Sequence, residues 1–132
     1  MNKGFSLVEL IVVIAIMAIL VGVAVPVYTS YITKANDATD IQAIDNLEHA
    51  CKIVAMEYST NVTFGETNAN NKYAITATLT DKDAADQLAL ILDKTYTTDG
   101  DSYVFSIDLK NDPVNQNVAA VDGKAKIPAN ID

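Results

Sequence analysis

From Phe5 to Val25 the chain reads FSLVELIVVIAIMAILVGVAV, an apolar run broken by one charge, Glu9. As a helix this run spans about 30 Å, the thickness of a bilayer's hydrocarbon core. Met1-Asn2-Lys3-Gly4 precedes it and Pro26 follows directly. A carboxylate inside such a segment costs about 2.5–3.5 kcal/mol on insertion scales, so Glu9 needs a reason to be there. Lys3, on the short N-terminal side, sets a cytoplasmic N-terminus by the positive-inside rule.

Once this segment is set aside, a chain of 132 residues leaves room for one small globular domain. The formal net charge is −8 and there is no arginine. Nucleic-acid binding through a basic face is not expected on that count, because it depends on cations neutralising phosphates. Cys51 is the only cysteine, so no intrachain disulfide forms.

Three readings compete for the N-terminal segment. A secretory signal peptide carries a shorter apolar core and a small-residue cleavage site, and Glu9 is out of place in it. A plain single-pass anchor fits the length and leaves Glu9 unexplained. Cleavage between Gly4 and Phe5 would release an α-amino group one helical turn before Glu9, where the two charges offset each other's desolvation. In a polymer that amine can instead meet Glu9 of a neighbouring copy and fix the axial register. Only the third reading accounts for the acid.

Lys3-Gly4-Phe5-Ser6-Leu7-Val8-Glu9-Leu10, running on into IVVIAIMAIL, resembles the class III prepilin signal of type IV pilins and pseudopilins. The resemblance covers about the first 30 residues. It implies that a prepilin peptidase cuts after Gly4 and methylates the new terminus at Phe5. It implies too that Glu9 pairs with the terminus of an adjacent subunit during assembly. Gly22 and Pro26 match the family's helix-weakening positions, where the helix kinks or melts in filaments, and Tyr28 and Tyr31 sit where aromatics are common. The partners implied are further copies of the chain, the peptidase, the membrane platform of the pilus machine, and lipid before assembly. The product is a cell-surface filament. A pseudopilin of a secretion or DNA-uptake system shares the signal, and a non-polymerising anchored binding domain is the rival of another class.

The expected fold is α+β: a long N-terminal helix, apolar then amphipathic, on a small antiparallel sheet. The divisions are a leader at 1–4, a membrane and assembly helix at 5–31, and a globular domain at 32–132. Beyond Pro26, Ile44, Leu47, Cys51, Val54 and Tyr58 recur at steps of three and four, one helical stripe, with Ile32, Ala35 and Thr39 extending it. Asp37, Asp40, Asp45, Glu48, Lys52 and Glu57 are assigned mostly to the other faces. One helix is thus predicted from about Phe5 to about Ser59, about 80 Å long and bent near Pro26.

Thr60 to Phe64 reads as a short strand, residues Gly65 to Lys72 as a polar loop, and Tyr73 to Leu79 as strand or extended loop. Thr80 or Asp81 looks like the N-cap of a helix over Lys82 to Leu92. Ser102 to Leu109 alternates Tyr103, Phe105, Ile107 and Leu109 with polar or smaller residues, a half-buried strand. Asn111-Asp112-Pro113 marks a turn. Asn117 to Val121 and Lys124 to Ile127 flank Asp122-Gly123 as a hairpin, which would hold the C-terminal segment that many pilins close with a disulfide. The sum is a meander with one helix in its connection.

No constellation of residues carries catalysis, and no cofactor is implied. His49 and Cys51 are two residues apart on a helix and point to different faces, so they make no catalytic pair. Cys51 lies on the apolar stripe as a small buried hydrophobe, and His49 faces solvent. Asp99-Gly100-Asp101 invites a calcium loop, but an EF-hand there would need oxygen ligands where Tyr103 and Lys110 stand. An ordinary acidic turn is the better reading, and no metal is assigned.

Overall fold

A computed structural model describes residue 4, residues 6–115 and residues 123–132. Helix α1 runs Leu7–Tyr58, followed by β1 (Thr63–Ala69), β2 (Lys72–Leu79), α2 (Lys82–Leu92), β3 (Thr97–Asp99) and β4 (Ser102–Leu109). The four strands make one antiparallel sheet in the order β1-β2-β4-β3. This is an α+β fold, a long N-terminal helix with a small antiparallel sheet packed on its second half. The chain forms two compact units, Met1–Thr33 and Lys34–Asp132.

The core of the second unit lies between α1 and the inner face of the sheet. Register places Ile75 opposite Ile107, Ala77 opposite Phe105 and Phe64 opposite Ala77. Those residues form one buried cluster with Ile44, Leu47, Cys51 and Val54 of α1 and with Ala84, Ala85 and Leu88 of α2. A strand with period two and a helix with steps of three and four thus present matching apolar surfaces.

Both helices end in left-handed residues. At the close of α1, Ser59 has φ 51° and Thr60 N–H donates to Ala55 O at 3.2 Å. In α2, Asp81 is the N-cap, accepting from Ala84 N–H at 3.0 Å, and Asp93 with φ 53° closes the helix. These bonds supply partners for main-chain groups that a helix end otherwise leaves open. The boundaries of α2 agree with the expectation. Asp86 ties α2 to the sheet side, accepting from Tyr96 Oη at 2.6 Å and Lys82 Nζ at 2.8 Å. The Tyr96 ring in turn packs edge-on against Tyr103, centroids 5.3 Å apart.

Several expectations need correcting. The stretch from Gly65 to Lys72 is not a loop. Strand β1 begins at Thr63 and continues through Ala69, and the connection shrinks to Asn70-Asn71, with φ 53° and 60°. Two consecutive left-handed residues are what a two-residue type I′ hairpin requires, and asparagine tolerates them. The strand looks polar because it is an edge strand with only Phe64 buried. Nor is the sheet a simple meander. The helical connection lets β4, which carries the apolar alternation, lie beside β2, while the three exposed residues of β3 take the edge. Gly100, with φ 61°, opens the tight β3–β4 turn that contains the acidic Asp99-Gly100-Asp101.

Ile32, Ala35 and Thr39 do not extend the buried stripe; all three are exposed. Its continuation in strict register, back from Ile44, lands on Asp40 and Asp37, which are 2% and 7% exposed. Asp40 accepts Lys110 N–H on one oxygen and Asn111 N–H on the other, both at 2.9 Å. Asn111 Nδ2 donates to Asp37 Oδ1 at 2.9 Å. The aspartates therefore grip the segment leaving β4, and their burial is tolerated because donors meet them.

Asn117 to Val121 and Asp122 lie outside the described residues. Lys124 to Ile127 forms no strand. The segment bridges Val114 in parallel fashion, with Val114 N–H donating to Ala125 O (2.8 Å) and Ile127 N–H to Val114 O (2.9 Å). Farther on, Val62 and Ile131 exchange both main-chain hydrogen bonds, at 2.8 and 2.9 Å. Asn130 Oδ1 also accepts Phe64 N–H at 2.9 Å.

Replacing Asp40 with alanine strips two main-chain donors of a charged acceptor, and the expected loss of stability is about 2–4 kcal/mol. Asp40→Asn keeps the volume but only one acceptor oxygen, and should recover less than half of that loss. Thermal unfolding of the two variants against the parent protein measures both effects.

Candidate functional site

The candidate site is the start of α1. Every described residue from Gly4 to Ala35 is exposed, including Leu10, Ile11, Ile14, Met17 and Leu20. Among the described residues, one helix, near the N-terminus, is long and apolar enough to cross a membrane. An apolar surface on every side of a helix needs lipid or other helices around it.

Ser6 stands just before the helix and is its N-cap. Glu9 N–H donates to Ser6 Oγ at 3.2 Å, and Ser6 N–H donates to Glu9 Oε2 at 3.2 Å. This reciprocal pair is a capping box, Ser-x-x-Glu, and it puts a negative group at the positive end of the helix dipole. Glu9 therefore has an account within a single chain, which the sequence reading lacked. The signal was present in Ser6-Leu7-Val8-Glu9 before an apolar run, and Ser6 is the site residue that reading missed.

The other predicted site residues are placed as follows. Gly4 lies outside the helix and is exposed. Phe5, the expected new terminus and methylation site, lies outside the described residues. Gly22 and Pro26 are both inside α1, one turn apart. Proline has no N–H to give to the carbonyl four residues back, and that carbonyl belongs to Gly22. The bond missing from the ladder thus leaves its open carbonyl on a glycine, the poorest helix former after proline. Thr29 Oγ1 donates to Pro26 O at 3.0 Å, and Thr33 Oγ1 to Thr29 O at 3.0 Å, back-bonds of the kind that bend helices. A side chain built at Gly4 or Gly22 would meet nothing within 4 Å, so packing within this chain does not demand either glycine. The structure joins Glu9 to Ser6, and Gly22 to Pro26 as the two ends of one missing bond.

Away from this segment, His49 is exposed and Cys51 fully buried, on different sides of α1. Burial, with Glu48 adding to it, pushes the Cys51 thiol up to about 12. Among the described residues, no group of three or more His, Cys, Asp or Glu side chains is placed to hold a metal ion.

Residues 1–25 match the family described as the prokaryotic N-terminal methylation motif. A type IV major fimbrial protein, FimA, of Dichelobacter nodosus is 40% identical over 48 residues, 36% of this chain and 30% of that protein. A fimbrial protein of Neisseria meningitidis serogroup A is 32% identical over 120 residues, 91% of this chain and 57% of the relative. A fimbrial protein of Moraxella nonliquefaciens is 44% identical over 47 residues, 36% of this chain and 30% of that protein. The chain spans less than two thirds of the length of these relatives. No solved structure matches.

The thiol at Cys51 gives a direct check on the core. At pH 8 it should resist iodoacetamide in the folded protein and react once the protein is unfolded. An unfolded thiol ionises near 9.0 and the folded one near 12, so between those values the folded state holds the extra proton. Stability should therefore fall as pH rises from about 9 towards 12, and Cys51→Ala should flatten that part of the profile in urea unfolding.

Proposed function

We infer that this chain, whose N-terminal segment is that of the type IV pilin family, is a structural subunit of a type IV pilus. The observation that carries the reading is an uncovered apolar helix with one acid at its head, inside a matched methylation motif. The subunit waits in the membrane with that helix inserted and its N-terminus in the cytoplasm. Prepilin peptidase cuts between Gly4 and Phe5 and methylates the amine of Phe5. The membrane platform then moves the subunit into a fibre, where other copies replace lipid around α1.

Lipid tails are as apolar as the helix, so apolar burial alone does not choose the fibre over the membrane. A charge pair does. An amine at Phe5 of one subunit and Glu9 of the next are each costly in an apolar medium, and together they offset that cost and set the axial step. Gly22 and Pro26 supply the place where the helix gives way as it is packed. Residues 34–132 coat the fibre. The role is scaffolding, and none of these steps asks the subunit to catalyse anything.

Filaments sheared from cells making the protein at native levels should yield an N-terminal peptide that begins at methylated Phe5. Recovery of that peptide from membranes alone would move the reading to a pseudopilus, and an intact Met1 terminus would move it to an anchored monomer. Glu9→Ala should leave export and residues 34–132 intact while cutting sheared filaments at least tenfold. Abundant normal filaments from that variant would sink the charge-pair mechanism.

A further inference from the structure

We propose that Ser6 is a positioning residue for Glu9: the capping box holds the carboxylate at the head of α1, where an incoming amine finds it oriented. The proposal rests on the reading of Glu9 as the assembly charge. Both halves of the box, Ser6 and Glu9, lie downstream of the Gly4–Phe5 bond, so cleavage of that bond leaves the box in the mature chain. Glu9 Oε2 accepts Ser6 N–H, and Glu9 N–H donates to Ser6 Oγ. The two bonds close a small ring that fixes both the first turn and the carboxylate's rotamer.

Two consequences follow for the subunit before assembly. First, Glu9 is not a bare charge in lipid, because a main-chain donor and the positive end of the helix dipole face it. Second, the box does not exhaust the carboxylate. An ionised glutamate offers about four lone-pair sites, and the box uses one. A second subunit's terminal amine therefore adds to an acid that is already in place. It has neither to break a bond of the box nor to arrest a mobile side chain. The pair forms in an apolar medium, where orientation is worth most. A hydroxyl at this position matters more than its size, so threonine should replace serine and alanine should not.

The experiment uses the full chain with Ser6→Ala, Ser6→Thr, Glu9→Ala and the double variant Ser6→Ala/Glu9→Ala. In detergent micelles, amide exchange followed by NMR reads the box itself. Exchange at Glu9 N–H should quicken about fivefold in Ser6→Ala, the order expected for a lost N-cap bond. Exchange at Ser6 N–H should quicken likewise in Glu9→Ala, and protection beyond Val13 should stay put in both. In cells, Ser6→Ala should lower the yield of sheared filaments severalfold, Ser6→Thr should restore it, and the double variant should be no worse than Glu9→Ala alone. Normal filaments from Ser6→Ala beside none from Glu9→Ala would overturn the role of Ser6 and leave the Glu9 reading standing. Normal filaments from both would overturn both. Unchanged exchange at Ser6 and Glu9 would show that no box forms and remove the proposal at its root.

Discussion

The folded part of this chain depends on one face of α1. Asp37, Asp40, Ile44, Leu47, Cys51, Val54 and Tyr58 follow one another at steps of three and four, and the sheet's inner face lies over them. Helix α2 adds only Ala84, Ala85 and Leu88 as fully covered residues, so α1 supplies most of the helical surface that faces the sheet. Apolar contact of this kind is not directional. A stripe that repeats every turn would fit nearly as well after sliding one turn along the sheet. The two aspartates remove that freedom. Asp40 bonds two successive main-chain N–H groups at the exit of β4, and Asp37, one turn before it, accepts the Asn111 side-chain amide. The hydrophobic stripe makes the association favourable, and the acids at its end decide where it stops.

The same helix carries a second acid in apolar surroundings and treats it differently. Asp40 sits inside the fold, with each oxygen engaged by a donor from another part of the chain. Glu9 sits on an uncovered helix and is engaged by the N–H of its own cap. The first arrangement is closed, since burial leaves little room for another partner. The second remains open to solvent or to another molecule, because the residues around it are exposed. A closed carboxylate holds a fold in register, and an open one is available to a donor from outside the chain.

Much of this architecture was legible in the residues, and what was hidden had physical causes. The span of α1, the caps of α2 and the alternation of β4 show in the sequence because each has a strong period or a polar residue at a fixed place. Strand β1 does not, because an edge strand with one buried side chain has no apolar pattern to show. Its real signal was the turn, Asn70-Asn71. The aspartates were misread as solvent-facing by residue type, although extending the stripe of Ile44 and Leu47 backwards lands on both. Position outweighed chemistry there, because donors from Lys110 and Asn111, distant in sequence, could not be foreseen. Ser6 was overlooked for the opposite reason. The charge on Glu9 outweighs the local Ser-x-x-Glu pattern of which it is half.

The C-terminal segment shows how a chain without a disulfide secures its end. Ala125 and Ile127 are buried in the core, and Val62 and Ile131 exchange main-chain bonds beside the start of β1. Asn130 adds a side-chain acceptor for Phe64 N–H. These contacts fasten the terminus and also occupy the first donors along an edge of the sheet. Farther along, that edge carries Gly65, Glu66 and Asn68, and the opposite edge is three residues long. Open edges of a sheet invite pairing with the same edge in another copy. In the proposed filament, subunits packed at high density would be more exposed to that error than a dilute protein. Covering one end of the long edge, placing polar residues on the remainder and keeping the other edge short leaves α1 as the surface through which copies would join in the proposed filament.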